Sequence, residues 1–83
     1  MKVTLFVPVL NEINGVKEIM PRVKKEWVDE IIVIDGNSTD GTYEYFESRE
    51  YTVFHQKKAG TVNAWWQGFD LATGDVIIPF SPS

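Results

Sequence analysis

Apolar residues gather along this chain in two rhythms. Short runs at residues 3–7, 31–34, 51–54 and 76–80 are rich in β-branched and aromatic types, the pattern of β-strands. The second and fourth runs show no alternation of apolar and polar positions, as expected of strands covered on both faces in a parallel sheet. Between the first two runs, Val16, Ile19, Met20, Val23 and Trp27 recur at helical spacing and predict one buried helix face. Pro21 predicts a kink or restart in that helix, because proline lacks a backbone donor and clashes with the preceding turn. A short second helix is predicted after Asp40-Gly41-Thr42, whose oxygen-bearing side chains suit a helix start. A third is predicted over residues 61–71, mostly buried, with Trp65 and Trp66 packed in the core and Gly74 suited to a left-handed stop.

The resulting order, β-α-β-α-β-α-β, has connections long enough for crossovers between parallel strands. It predicts an α/β fold, a Rossmann-like three-layer αβα arrangement with a mostly parallel sheet of about four strands. No repeat or linker divides the chain, so residues 1–83 are expected to form a single domain. The final hydrophobic strand leaves a sheet edge open, which makes self-association through that edge a possible partner interaction.

Composition narrows the function. A net charge of -4 argues against nucleic acid, whose phosphates call for a basic stripe. There is no cysteine, so disulfides and thiolate metal sites are excluded. The start has no basic n-region or cleavage site of a signal peptide, and no run approaches the roughly 20 apolar residues of a membrane span. The cytoplasmic side is therefore the default expectation, and membrane association is not visible in this segment.

In open parallel sheets, ligands sit beyond the carboxyl ends of the strands. Those ends carry Pro8-Val9-Leu10-Asn11-Glu12, then residues 35–42 from Asp35 to Thr42, then His55-Gln56-Lys57-Lys58, and finally Ser81-Pro82-Ser83. The first loop has no glycine, which excludes a dinucleotide fingerprint, and no G-x-x-x-x-G-K-S/T stretch exists to form a P-loop. A nucleotidyltransferase would want a glycine-rich basic loop there too. Asp35 is an acceptor-only side chain to which a base imide or ribose hydroxyl could donate, and Glu12 could serve the same moiety. Asp35 could equally bind the amides of its own loop, and Asp40 could simply cap a helix. His55, the lysine pair and the two tryptophans read more simply as solvated or core residues than as catalysts, phosphate steerers or ring-stacking platforms.

At these motifs the chain resembles the family 2 glycosyltransferases of the GT-A fold. Pro8-Val9-Leu10-Asn11-Glu12 is similar to the family's P-x-x-N-E. The stretch from Ile31 to Thr42 resembles its v-v-D-D/G-x-S-x-D-G-T signature, and Gly60, Ala64, Gly68, Ala72, Gly74 and Asp75 match a third block leading into the last strand. The resemblance implies the N-terminal, nucleotide-binding half of a GT-A fold, with the acceptor-binding half absent. It implies a nucleotide-diphosphate sugar, UDP- or GDP-linked, as partner, with Pro8, Leu10, Glu12 and Asp35 lining base and ribose and Asp40 supporting the loop.

It further implies Mg2+ or Mn2+ held by a D-x-D motif. By spacing, those aspartates align with Ser81 and Ser83, neutral and weak ligands for a hard cation. The family's glycine-lysine pair is replaced by Thr61 and Val62. No catalytic residue is assigned in this stretch, and the chain alone is expected not to turn over. The other reading is a non-catalytic nucleotide-binding or self-associating module with a degenerate metal motif.

Overall fold

The structure, a computed structural model, describes residues 1–82. Strand β1 (Val3–Val9) leads to helix α1 (Ile13–Ile19), two 3-10 turns at Met20–Arg22 and Lys25–Trp27, and strand β2 (Glu30–Asp35). Helix α2 (Thr42–Ser48), β3 (Thr52–His55), α3 (Thr61–Leu71) and β4 (Val76–Pro79) follow. The four strands form an all-parallel sheet in the order β3-β2-β1-β4, so the predicted α/β layering holds. The chain moves outward from β1 to β3 and then returns to the far side of β1 as β4. That reversal is a topological switch point, and the crevice it opens lies at the carboxyl ends.

The alternation of side chains along β1 divides the core. Leu5, Val7 and Val9 pack with Val16, Met20, Val33, Tyr45 and Phe46 on the face covered by α1 and α2. Phe6 packs with Ile32, Ile34 and Ala64 on the face covered by α3. Phe6 is fully buried, with the Trp65 ring edge-on at 5.3 Å. Burying such a side chain is worth about 1.5–3 kcal/mol.

Three expectations are corrected. Helix α1 stops at Ile19 and the chain restarts as a 3-10 turn over Pro21, as the proline predicts, but the loss of helical register turns Trp27 outward, 65% exposed. Helix α3 is not mostly buried. Only Ala64 and Gly68 are buried on it, while Val62 and Trp66 are 68% and 63% exposed. Its small residues let it lie close on the sheet: a Cβ at Gly68 would come within 2.3 Å of the Phe6 ring. Finally, Gly74 is not among the residues with left-handed backbone. Its role is space, because a Cβ there would sit 2.4 Å from Thr4 Oγ1 and 2.8 Å from the Thr4 backbone nitrogen.

That close approach belongs to a polar lock at the amino ends of the strands. The buried Thr4 hydroxyl donates to Glu30 Oε1 at 2.7 Å and accepts from the Gly74 N–H at 3.0 Å. Glu30 also accepts from the Thr73 N–H at 2.8 Å and the Thr73 hydroxyl at 3.0 Å. These bonds, Thr4's first, hold the Glu30 carboxyl below the ordinary glutamate range against its partial desolvation. Among the described residues no helix is long and apolar enough to cross a membrane.

Candidate functional site

At the opposite, carboxyl end, the ladders run on past the strands. Gly36 N–H donates to Val9 O, Gln56 N–H to Asp35 O, and Phe80 N–H to Phe6 O, at 2.7–2.8 Å. The loops therefore leave the sheet from fixed points. The first two are then stitched together by side chains. Asn11 N–H donates to Ser38 Oγ and Thr39 N–H to Asn11 Oδ1, both at 2.8 Å, and Glu12 N–H donates to Thr42 Oγ1 at 3.1 Å. Asp40 binds both helix starts, accepting from Ile13 N–H at 3.1 Å and from Thr42 N–H at 3.0 Å. The Thr42 hydroxyl is its strongest partner and the first cause of a carboxyl held below the ordinary aspartate range.

Between these loops and the start of α3 lies a cleft of about 400 Å³. Pro8 and Val9 of β1, with Leu10 and Glu12 just after it, line the cleft together with Ile34 of β2, Gly36 and Asn37 beyond that strand, and Gln56 after β3. Ala59, Gly60, Thr61 and Ala64 close one wall, and Ser81 stands after β4. Gly60 adopts φ 104 and ψ 144, a conformation open to glycine and strained for other residues, so the wall turns sharply into α3. Gln56 fixes that wall by donating to the carbonyls of Lys58 and Gly60. Its role is not evident from sequence, where the one signal is a polar residue immediately after a strand.

The cleft collects Pro8, Leu10, Glu12 and Ser81 but not Asp35 or Asp40. Asp35 is fully buried, and its two oxygens accept from the Ser38 hydroxyl at 2.6 Å and the Ser38 N–H at 2.8 Å. The loop folds back on the strand-end acid. Asp40 lies at the surface as a brace between α1 and α2. Ser83 falls outside the described residues. His55 stacks on Tyr43 with ring centroids 3.9 Å apart, and it lines a separate outer groove with Lys57, Lys58 and Trp66.

Glu12 is the chemically unusual member. Its Oε2 is buried and has no hydrogen-bond partner among the described residues. Burial raises its pKa, a backbone hydrogen bond from Leu10 works against that, and the charge of Asp40 adds to the rise. A desolvated acceptor left unmet costs on the order of 1–3 kcal/mol, and a donor brought by a ligand would recover it.

A parallel sheet covered by helices, with a cleft at its switch point, defines an open α/β fold whose ligand crevice lies beyond the carboxyl ends of the strands. The pattern of Glycosyl transferase family 2 matches residues 4–80, and the chain belongs to that family. A dolichol-phosphate mannosyltransferase of Pyrococcus furiosus is 33% identical over 94% of this chain, which spans 24% of that protein. Mannosyl-3-phosphoglycerate synthase from Rubrobacter xylanophilus, at 22% identity and a TM-score of 0.87, shares the fold over 99% of this chain and 30% of its own. Glucosyl-3-phosphoglycerate synthase from Mycobacterium tuberculosis, solved with Mn2+, UDP and glucosyl-3-phosphoglycerate, is 27% identical with a TM-score of 0.77. That alignment covers 98% of this chain and 33% of the synthase. The chain thus spans about a quarter to a third of the proteins it resembles.

Mn2+ is present in the structure of that relative. Among the described residues no three His, Cys, Asp or Glu side chains converge, and a hydroxyl stands at position 81.

Proposed function

We propose that residues 1–83 bind the nucleotide end of a nucleotide-diphosphate sugar, and that the whole protein transfers the sugar to an acceptor hydroxyl. Glu12 Oε2 carries this reading: it is a buried acceptor in a cleft of suitable size, lacking the donor that a ribose hydroxyl or base imide would supply. Pro8 and Leu10 form the apolar floor beneath the base. Asp40 acts as a brace. Asp35 reaches the base or ribose only by exchanging a bond to Ser38, and otherwise shapes the loop that borders them. UDP in the mycobacterial relative supports a nucleoside diphosphate as the ligand class.

Transfer would need an acceptor site and a general base to deprotonate the attacking hydroxyl, and both belong to an acceptor half beyond these residues. A cytoplasmic location goes with this reading, at the membrane face if the acceptor is a lipid phosphate as in the archaeal relative's name. The edge strand β4, with Ile78 43% exposed, supports a second role as a pairing edge for a further copy or further strands.

Isothermal titration with UDP, GDP and their hexose conjugates is the test. Binding with a Kd of roughly 1 μM to 1 mM is expected. No heat from any of the four ligand types would sink the proposal.

A further inference from the structure

The loop after β3 is held on both sides of Gln56. The Gln67 side chain on α3 accepts from the Lys57 N–H and donates to the His55 carbonyl, both at 2.8 Å, and the Gln56 N–H itself donates to Asp35 O at 2.7 Å. Gln56 therefore enters the cleft from a fixed point. Both protons of its amide are used within the protein, because Nε2 donates to the carbonyls of Lys58 and Gly60. Only the amino end of the amide can meet two carbonyls, so the group cannot turn over, and Oε1 is the end left for another partner. Among the described residues no donor reaches Oε1. A Cβ on Gly36 would sit 3.3 Å from Oε1 and 3.4 Å from Leu10 Cβ and Cδ1. Glycine at position 36 thus keeps open the gap between an apolar side chain and an acceptor.

We propose that Gln56 Oε1 reads the base of the nucleotide and selects one with a ring N–H donor, uracil or guanine, over cytosine and adenine; the proposal rests on the nucleotide reading above. An unrestrained glutamine is no such filter, since it pairs with adenine by accepting and donating at once. With both Nε2 protons committed, that mode is closed and the amide acts as an acceptor alone. The N3–H of uracil or the N1–H of guanine donates straight to Oε1. Cytosine and adenine carry a lone pair on the corresponding ring nitrogen, which would face the lone pairs of Oε1. Their exocyclic amines meet Oε1 only with the ring displaced, and a ribose held at Glu12 resists that displacement. Gln56 Oε1 and Glu12 Oε2 then each receive one donor, the first from the base and the second from the ribose.

Isothermal titration of the protein with UDP, CDP, GDP and ADP tests the assignment. The tighter binder of UDP and GDP should exceed both CDP and ADP by at least about tenfold, and which of the two it is tells whether the gap beside Gly36 takes a pyrimidine or a purine. The same nucleotide methylated on its ring N–H, UDP at N3 or GDP at N1, should fall to the level of CDP and ADP. In Gln56→Leu the preference should shrink to within about threefold. A purely structural role in the cleft wall would instead weaken all four nucleotides alike and leave their ratios intact. Equal affinities for the four, full affinity for the methylated nucleotide, or a preference that survives Gln56→Leu overturns the assignment while leaving nucleotide binding standing. Absence of heat with all four overturns the nucleotide reading itself, and the base assignment with it.

Discussion

The two ends of the sheet are built from the same residue types and use them in opposite ways. At the amino ends, Glu30, Thr4, Thr73 and Gly74 meet in one lock that joins β1, β2 and the turn leading into β4. At the carboxyl ends, Asp35, Ser38, Asp40, Thr42 and Asn11 stitch two loops together as thoroughly, yet Glu12 Oε2 is left buried and unmet. Both ends hold a glutamate among threonines. One glutamate has a depressed pKa because its bonds are made within the protein, and the other a raised pKa because burial outweighs the bond it has. Satisfied polar groups near a strand end stabilise the fold, whereas an unmet one points to something the protein has yet to bind.

The contrast breaks most visibly at Gly74. Alanine there would push a Cβ against the Thr4 backbone, which cannot swing away, and the overpacking should destabilise the chain by about 2 to 3 kcal/mol. A shift of the urea midpoint measures it, and an unchanged midpoint would refute the close approach. Glu30→Ala comes next. It strips the Thr4 hydroxyl and Thr73 N–H of their acceptor, for a loss of about 1 to 3 kcal/mol, while nucleotide affinity of the protein that stays folded should hold within about threefold. A large affinity loss from Glu30→Ala would mean that the two ends are coupled and the division is false.

How far the sequence reveals each end depends on what the chemistry hinges on. The strands and their parallel packing are legible because unbroken apolar runs such as residues 31–34 have few other uses. The outward face of α3 is not, because large apolar residues at helical spacing point to a buried stripe. Here the buried stripe is the small one, Ala64 and Gly68 four residues apart, and it lies close enough to the sheet to leave Trp66 outside. At the site, sequence places Glu12, Asp35 and Asp40 on one rim. It cannot tell which of the three is unmet, since that turns on whether Ser38 folds back onto Asp35 and whether Thr42 falls beside Asp40. The matching of Ser81 and Ser83 to the family's D-x-D positions is an expectation from spacing in the sequence alone. The structure adds that position 81 lies on the cleft.

Glu12→Gln separates binding from folding at the carboxyl end. The amide removes the charge that strengthens a ligand's hydrogen bond, so nucleotide affinity should fall about 10- to 100-fold by titration calorimetry. Stability should not fall with it. Removing a desolvated charge whose Oε2 has no partner among the described residues should raise stability slightly, by less than about 1 kcal/mol given the side chain's partial exposure and the screening that follows.

The smallest effect carries the sign of the whole comparison. Glu30's folded pKa lies below its unfolded value, so its contribution to stability is present in full above the ordinary glutamate range and is lost as pH falls through that range to the depressed value. Glu12's folded pKa lies above its unfolded value, so its ionised form carries a penalty that is relieved as pH falls through the raised value. Melting temperatures of Glu12→Gln and of a second variant, Glu30→Gln, should therefore diverge from the wild type in opposite directions at neutral pH and converge on it at low pH. Saturating nucleotide should reverse the Glu12 effect alone, because a donor on Oε2 favours the carboxylate and brings its pKa back down. Nucleotide binding should weaken on acidification through the raised pKa of free Glu12, and this dependence should vanish in Glu12→Gln. A pH profile of affinity that is the same in both proteins would show that the ligand's donor lies elsewhere.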